Sequence, residues 1–181
     1  MNQPGKNFNI IEFDKLASTS AKAKELAAGG VEPWTAVVAK EQDGGYGRKG
    51  NVWHSPAGGL YFSVILPKSN VADLQILTIM AAFCAARAIK ENFNVEPMIK
   101  LPNDVYLNGK KICGVLTENV ICGDEILSVI GIGVNTNIDA FPEESGNAAS
   151  LKIELKQTID NRAILVQIIS QLQQTFKAIS R

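Results

Sequence analysis

Between residues 160 and 180 apolar side chains recur at every fourth position: Ile164, Ile168, Leu172 and Phe176, with Leu165, Ile169 and Ile179 beside them. That period predicts an amphipathic helix with one buried stripe. A second helix is expected over residues 71–92, where Leu74, Leu77, Ala81, Ala85 and Ala88 fall at spacings of three and four. An alanine-rich face of this kind packs closely on a sheet. A third, shorter helix is expected in AKAKELAA, after the hydroxyl run Ser18-Thr19-Ser20 and before Gly29-Gly30. A hydroxyl at that junction can cap the helix.

Elsewhere the apolar residues come in short runs bounded by turn residues. FNIIEF (8–13), TAVVAK (35–40) and LYFSVIL (60–66) read as strands, as does MIKLP (98–102), which breaks at Pro102. Residues 104–107 and KKICGVLTENVIC flank Asn108-Gly109, a pair suited to a type I′ hairpin turn. Gly123-Asp124 marks a second turn before EILSVIGIGVNTNI. Strands in such close succession pair antiparallel. DAFPEESGNAAS (139–150) is a polar loop. Helices and strands mix without strict alternation, and no linker or repeat divides the chain. The pattern predicts one α+β domain over residues 1–181, built on a mixed, largely antiparallel sheet.

Composition narrows the function. The 18 basic residues balance the 18 acidic ones, which argues against a nucleic-acid or membrane-surface binder, since either would carry a basic excess. Cys84, Cys113 and Cys122 are odd in number and lack compact spacing, and there is one histidine, His54; neither a disulfide framework nor a zinc site fits. The start, MNQPGKNFNI, has no secretory pattern, and the most apolar stretch, ILTIMAAFCAARAI, is too short to span a bilayer. The expectation is a soluble cytoplasmic protein.

Three stretches carry candidate chemistry. The first is EQDGGYGRKGNVW (41–53), where Gly44, Gly45, Gly47 and Gly50 lie within seven positions, interleaved with Arg48 and Lys49 and closed by Trp53. Glycines let a backbone approach a ligand, cations meet phosphate or carboxylate oxygens, and an indole stacks on a flat base. The alternative is an ordinary glycine-rich surface loop. The second is Lys100-Leu101-Pro102-Asn103-Asp104, where Lys100 at a strand end is either a solvated lysine or a fixed charge that steadies a carboxylate attacking a phosphate. The third is Gly131-Ile132-Gly133-Val134-Asn135-Thr136-Asn137. Alternating glycines bare one face of a strand, either to floor a pocket for a flat ligand or to admit a helix; Gly114 poses the same choice. Ser18, Thr19 and Ser20 are either a helix cap or hydrogen-bonding groups for a polar ring, and Gln42 is similarly open. His54 has no Ser or Cys partner pattern that suggests a nucleophilic triad.

Taken together, these stretches resemble the catalytic domain of biotin protein ligases, along nearly the whole chain. The family's Ser-Thr-Asn start resembles Ser18-Thr19-Ser20, and its Gln-x-x-Gly-Arg-Gly-Arg-x-Gly loop ending in Trp resembles Gln42 to Trp53. Its Lys-Trp-Pro-Asn-Asp resembles Lys100 to Asp104, its Lys-Leu-x-Gly-Ile-Leu resembles Lys111 to Leu116, and its Gly-Ile-Gly-x-Asn-x-Asn resembles Gly131 to Asn137. Five motifs in order are specific where one would not be.

The resemblance implies a fold related to the class II aminoacyl-tRNA synthetase core, with helices on one face of the sheet. It implies a two-step reaction: biotin and ATP give biotinyl-adenylate and pyrophosphate, and a lysine of a biotin carboxyl carrier protein takes the biotinyl group. Mg²⁺ would escort the triphosphate. The catalytic cations would be Lys100 and Arg48. The biotin site would comprise Ser18, Thr19, Ser20, Gln42, Gly45, Tyr46, Gly47, Arg48, Lys100, Gly114, Gly131 and Gly133. The ATP site would comprise Arg48, Lys49, Trp53, Asn103, Lys111 and Asn135, and no metal ligand is assigned. The expected assembly is a monomer or homodimer. Lipoate or octanoate ligation, and a weakly active biotin-binding module, are the alternatives.

Three residues depart from the family pattern. Tyr46 stands where the loop usually has its first arginine, Leu101 replaces tryptophan and Ser20 replaces asparagine. The expectation is a domain without the helix-turn-helix front end of some members and without the small C-terminal β-barrel usual in the family.

Overall fold

A computed structural model describes residues 8–68, 71, 73–122 and 125–180. The turn expected at Gly123-Asp124 lies outside the described residues. The chain runs β1 (Asn9–Leu16), α1 (Thr19–Ala28), β2 (Thr35–Gln42), β3 (Leu60–Ile65), α2 (Leu74–Phe93), β4 (Met98–Lys100), β5 (Asp104–Leu107), β6 (Lys110–Cys122), β7 (Glu125–Val134), α3 (Leu151–Leu155) and α4 (Asn161–Ile179). The strands form one seven-stranded sheet in the order β1-β2-β3-β7-β6-β5-β4. Only the β1–β2 pair, joined through α1, is parallel; the other pairs are antiparallel.

The local signals act as elementary chemistry dictates. Ser18 caps α1 by accepting from the Ala21 N–H, Asp73 caps α2 and Asp160 caps α4. Asn108 and Gly109 take φ of 51° and 77°, the left-handed pair that a type I′ turn needs between β5 and β6. The Leu101–Pro102 peptide after β4 is cis.

Strand alternation sorts side chains between the two faces of the sheet. Phe62, Val64, Ile130, Ile132 and Val134 point to one face, where they meet Leu77, Ala81, Ala85 and Ala88 of α2 and the Ile164/Ile168/Leu172/Phe176 stripe of α4 in the main core. Val37, Ile65 and Val129 point to the other, where Ala23 and Ala27 of α1 cover them. The two long helices thus share one face, whereas α1 lies on the opposite one, a correction to the expectation of helices on one face only. The reason is in the strands: the middle of the sheet is apolar on both sides, and both sides need cover.

Candidate active site

Beyond the reach of α1 the second face of the sheet is bare. Registers align Gly133 with Gly114 and Gly114 with Asp104, so a row of residues across β7, β6 and β5 has glycine at two successive places. A cavity of about 300 Å³ opens over this floor, lined by Gly114, Gly131 and Gly133 among others. The indole of Trp53 lies against two of these glycines: a Cβ built on Gly133 would stand 2.4 Å from its Nε1, and one on Gly114 would stand 2.9 Å from its Cζ3. A Cβ on Gly131 would come within 2.4 Å of Ser20 Oγ. The glycines therefore floor a pocket, and they are also where the loop's aromatic ring and the start of α1 come down on the sheet.

One end of the cavity is a closed chain of hydroxyls and an amide. Ser63 Oγ donates to Thr19 Oγ1 at 2.9 Å and shares a hydrogen bond with Ser20 Oγ at 3.0 Å. The Thr19 N–H donates to Gln42 Oε1 at 2.7 Å, and Gln42 Nε2 donates to Ser55 Oγ at 2.9 Å. All four hydroxyl residues are buried. Ser18 caps the helix, and Ser18, Thr19 and Ser20 all line the cavity. Such groups can donate to a carbonyl or accept from an N–H as the ligand requires.

The other end is cationic. The register between β5 and β6 slips between Val105 and Tyr106: Val105 pairs with Cys113 but Tyr106 pairs with Lys111. Ile112 is thus an extra residue, and both Ile112 and Cys113 point into the main core. The bulge brings Lys111 to the same face as Gly114, which strict alternation across three positions would forbid. Lys111 lines the cavity, pairs with Asp104 at 2.8 Å and sits 5.2 Å from the centre of the Trp53 ring. Arg48 and Lys49 also line it, and Arg48 donates to Asn103 Oδ1 at 3.2 Å.

Lys100 is placed differently. It pairs with Asp104 at the end of β4, the outermost strand, so it stands two strands, about 10 Å, out from Gly114. It is exposed, its ammonium lies 5.8 Å from the Tyr106 ring, and it is not among the residues that line the cavity. Lys111, expected in the ATP site, does line the cavity.

The glycine-rich loop folds into a small flap. Tyr46 bridges Val52, the Gly47 N–H donates to Asn51 O at 2.8 Å, and the Trp53 N–H donates to Gly45 O at 3.0 Å. Arg48, Lys49 and Gly50 form the tip. Gly45 does not line the cavity; it lies where a Cβ would meet Ser55 Oγ and Trp53 O at 2.7 Å, so it serves the flap's close packing. Asn135 also lies off the cavity wall, buried just past β7, and its Nδ2 reaches the Lys111 carbonyl at 3.5 Å. Trp53 Nε1 and Asn135 Oδ1 are buried without a hydrogen-bond partner among the described residues. Trp53 Nε1 sits over the Gly133 floor, and Asn135 lies beside the Lys111 carbonyl.

Sequence reasoning missed four contributors. Ser63 was visible as the lone hydroxyl in the apolar run LYFSVIL, and Asp104 as the carboxylate that ends the motif starting at Lys100. Lys24 and Glu118, which hold the Tyr46 phenol, gave no signal because α1 and β6 meet only in the fold.

No helix among the described residues is long and apolar enough to cross a membrane. Comparison with known proteins agrees with the geometry. The bifunctional ligase/repressor BirA of Bacillus subtilis is 37% identical over 175 residues, covering 93% of this chain and 54% of the relative. The biotin–[acetyl-CoA-carboxylase] ligase of Paracoccus denitrificans is 36% identical over 126 residues, covering 65% of this chain and 50% of that protein. The chain thus spans about half the length of these relatives. Among solved structures, the biotin protein ligase of Aquifex aeolicus in complex with biotin and ATP superposes with a TM-score of 0.86 at 32% identity, covering 95% of this chain and 72% of that one. The biotin protein ligase of Leishmania major in complex with biotinyl-5-AMP gives 0.80 at 26% identity, covering 96% and 76%. Residues 11–137 match the biotin/lipoate A/B protein ligase family, to which this chain belongs.

Proposed function

We propose that this domain activates biotin with ATP and passes the biotinyl group to a lysine of a biotin carboxyl carrier domain. The observation that carries this reading is the polarity of the cavity. A buried hydroxyl–amide chain closes one end, a glycine floor runs along it, and Lys111, Arg48 and Lys49 stand at the other end. Biotin has that shape in chemical terms: a polar ureido ring, an apolar body and a carboxylate. The Aquifex relative holds biotin together with ATP, and the Leishmania relative holds the adenylate.

In the first step a carboxylate oxygen attacks the α-phosphorus. A new P–O bond forms, the P–O bond to pyrophosphate breaks, and negative charge gathers between the two reactants. Lys111 and Arg48 would offset that charge, the largest kind of catalytic contribution a preorganised site makes. Asp104 holds the Lys111 ammonium in place without filling all three of its donor positions. In the second step the carrier's neutral lysine amine attacks the acyl carbon, AMP leaves, and the amine loses a proton. The flap tip over the cavity would keep water from the mixed anhydride between the steps.

Mg²⁺ fits as part of the nucleotide rather than as a resident ion. Among the described residues no group of three or more His, Cys, Asp or Glu could hold a metal, and Asp104 is already paired with Lys111. The three cysteines are free, which suits a reducing compartment, the cytoplasm.

The test is pyrophosphate release by the purified protein with ATP, Mg²⁺ and biotin, followed by mass spectrometry of a carrier domain. Lys111→Ala is expected to lower adenylate formation about 100-fold, the scale for removing one preorganised donor. Lys100→Ala should change it by only a few-fold. Release with lipoate or octanoate but not with biotin would overturn the substrate assignment. Calorimetric binding of biotin without turnover would make the domain a binding module instead.

A further inference from the structure

Tyr46 occupies the one loop position where the family pattern has a cation and this chain does not. Its ring lines the cavity, but its hydroxyl is fully engaged behind the wall. The phenol donates to Glu118 Oε2 at 2.8 Å and accepts from Lys24 Nζ at 3.2 Å. Lys24 also pairs with Glu118 Oε1 at 2.7 Å, and its ammonium stands 5.8 Å from the centre of the Tyr46 ring. The Lys24 and Glu118 side chains are 28% and 24% exposed, and bonds to charged groups are stronger than neutral ones. Neither lines the cavity.

The cluster joins three elements. Lys24 lies four residues after Ser20 on α1, so the two share one helix face. Ser20 meets the sheet at Ser63 on β3, and Lys24 meets it at Glu118 on β6. Tyr46 is the root of the flap whose tip carries Arg48 and Lys49. A phenol both donates and accepts; here it donates to an anion and accepts from a cation, which clamp it from both sides.

We propose that Lys24 is a positioning residue: from α1, through Glu118 and the Tyr46 phenol, it holds the flap over the cavity before any ligand arrives. The inference deepens the ligase reading above and rests on it for the identity of the substrate. The charges are in the required state. Burial alone would lower Lys24, but its bonds to Glu118 and Tyr46 outweigh that and keep the ammonium above the ordinary lysine value. Burial likewise raises the Tyr46 phenol, which stays protonated as a donor.

Lys24→Met keeps the stem and removes the charge. Hydrogen exchange of the Gly47 and Trp53 amides, measured without ligand, should then quicken about tenfold, the scale of one charged hydrogen bond. KM for biotin in pyrophosphate release should rise by a similar factor with kcat changed less. Adding Tyr46→Arg should return both quantities toward those of the natural protein, because a guanidinium there can meet Glu118 directly. Unchanged exchange in Lys24→Met would overturn the proposal. So would a lower melting temperature with no selective loosening of the flap, or a double variant no better than the single one. Should the natural protein release no pyrophosphate with biotin while the exchange pattern follows the expected order, the ligase reading fails and the clamp stands.

Discussion

The two faces of the sheet use the same strands for opposite ends. On β7, Ile130, Ile132 and Val134 enter the main core, while Gly131 and Gly133 between them floor the cavity. On β6, Val115 enters the core, while Gly114 and Leu116 line the cavity. One face is filled to exclusion by α2 and α4. The other is left open wherever α1 does not reach, and a flap and a few paired charges partly cover it. The backbone is common to both, so the difference lies wholly in what stands on alternate Cα atoms. A stable face and a binding face can therefore be tuned separately, and substitution of neighbouring residues tests that claim.

The largest expected effect is on the filled face. Ile132 is 2% exposed, and Ile132→Ala would leave a cavity costing about 2–5 kcal/mol in denaturant unfolding. Biotin affinity of the fraction that stays folded should change less than threefold. A loss of affinity as large as the loss of stability would mean that the faces are not separable. Next is the neighbouring residue on the open face. Gly133→Val would drive a side chain into Trp53 and across the floor, and biotin affinity should fall about 100-fold, or about 2.7 kcal/mol. The melting temperature should move by no more than a few degrees, since valine suits a strand and no core contact is touched. A large drop in melting temperature would show that the floor carries the fold as well as the ligand.

This division of labour was unevenly legible in the sequence. The α4 stripe is long, so its period stood out, and every residue of its repeat at four is buried. The glycines at 114, 131 and 133 announced a bare surface but not its occupant, because the Trp53 indole arrives from a loop eighty residues upstream of Gly133. The resemblance put Lys111 in the ATP site, but the side of β6 that it takes was not legible. Strict alternation puts Lys111 opposite Gly114, and only the extra residue at Ile112 reverses it. Lys100 sits in a stronger motif but on the outermost strand. The five-residue α3 was too short to show any period.

The mildest perturbation is chemical, and it uses two thiols of one strand. Cys113 points into the main core and Cys122 packs at the edge of the smaller α1-side cluster. Burial pushes the Cys113 thiol up to about 12. At pH 8 only about one such thiol in ten thousand is ionised, and the thiolate is the reactive form. An alkylating reagent at pH 8 should therefore label Cys122 and leave Cys113 until the protein unfolds, with biotin binding retained after labelling. Raising the pH toward 12 works against Cys113 protection through ionisation, while denaturant works through exposure, so the two routes can be told apart by their pH dependence. Equal labelling of both thiols at neutral pH would mean that the filled face opens as readily as its counterpart. The contrast would then describe only an average structure, with no lasting difference in access.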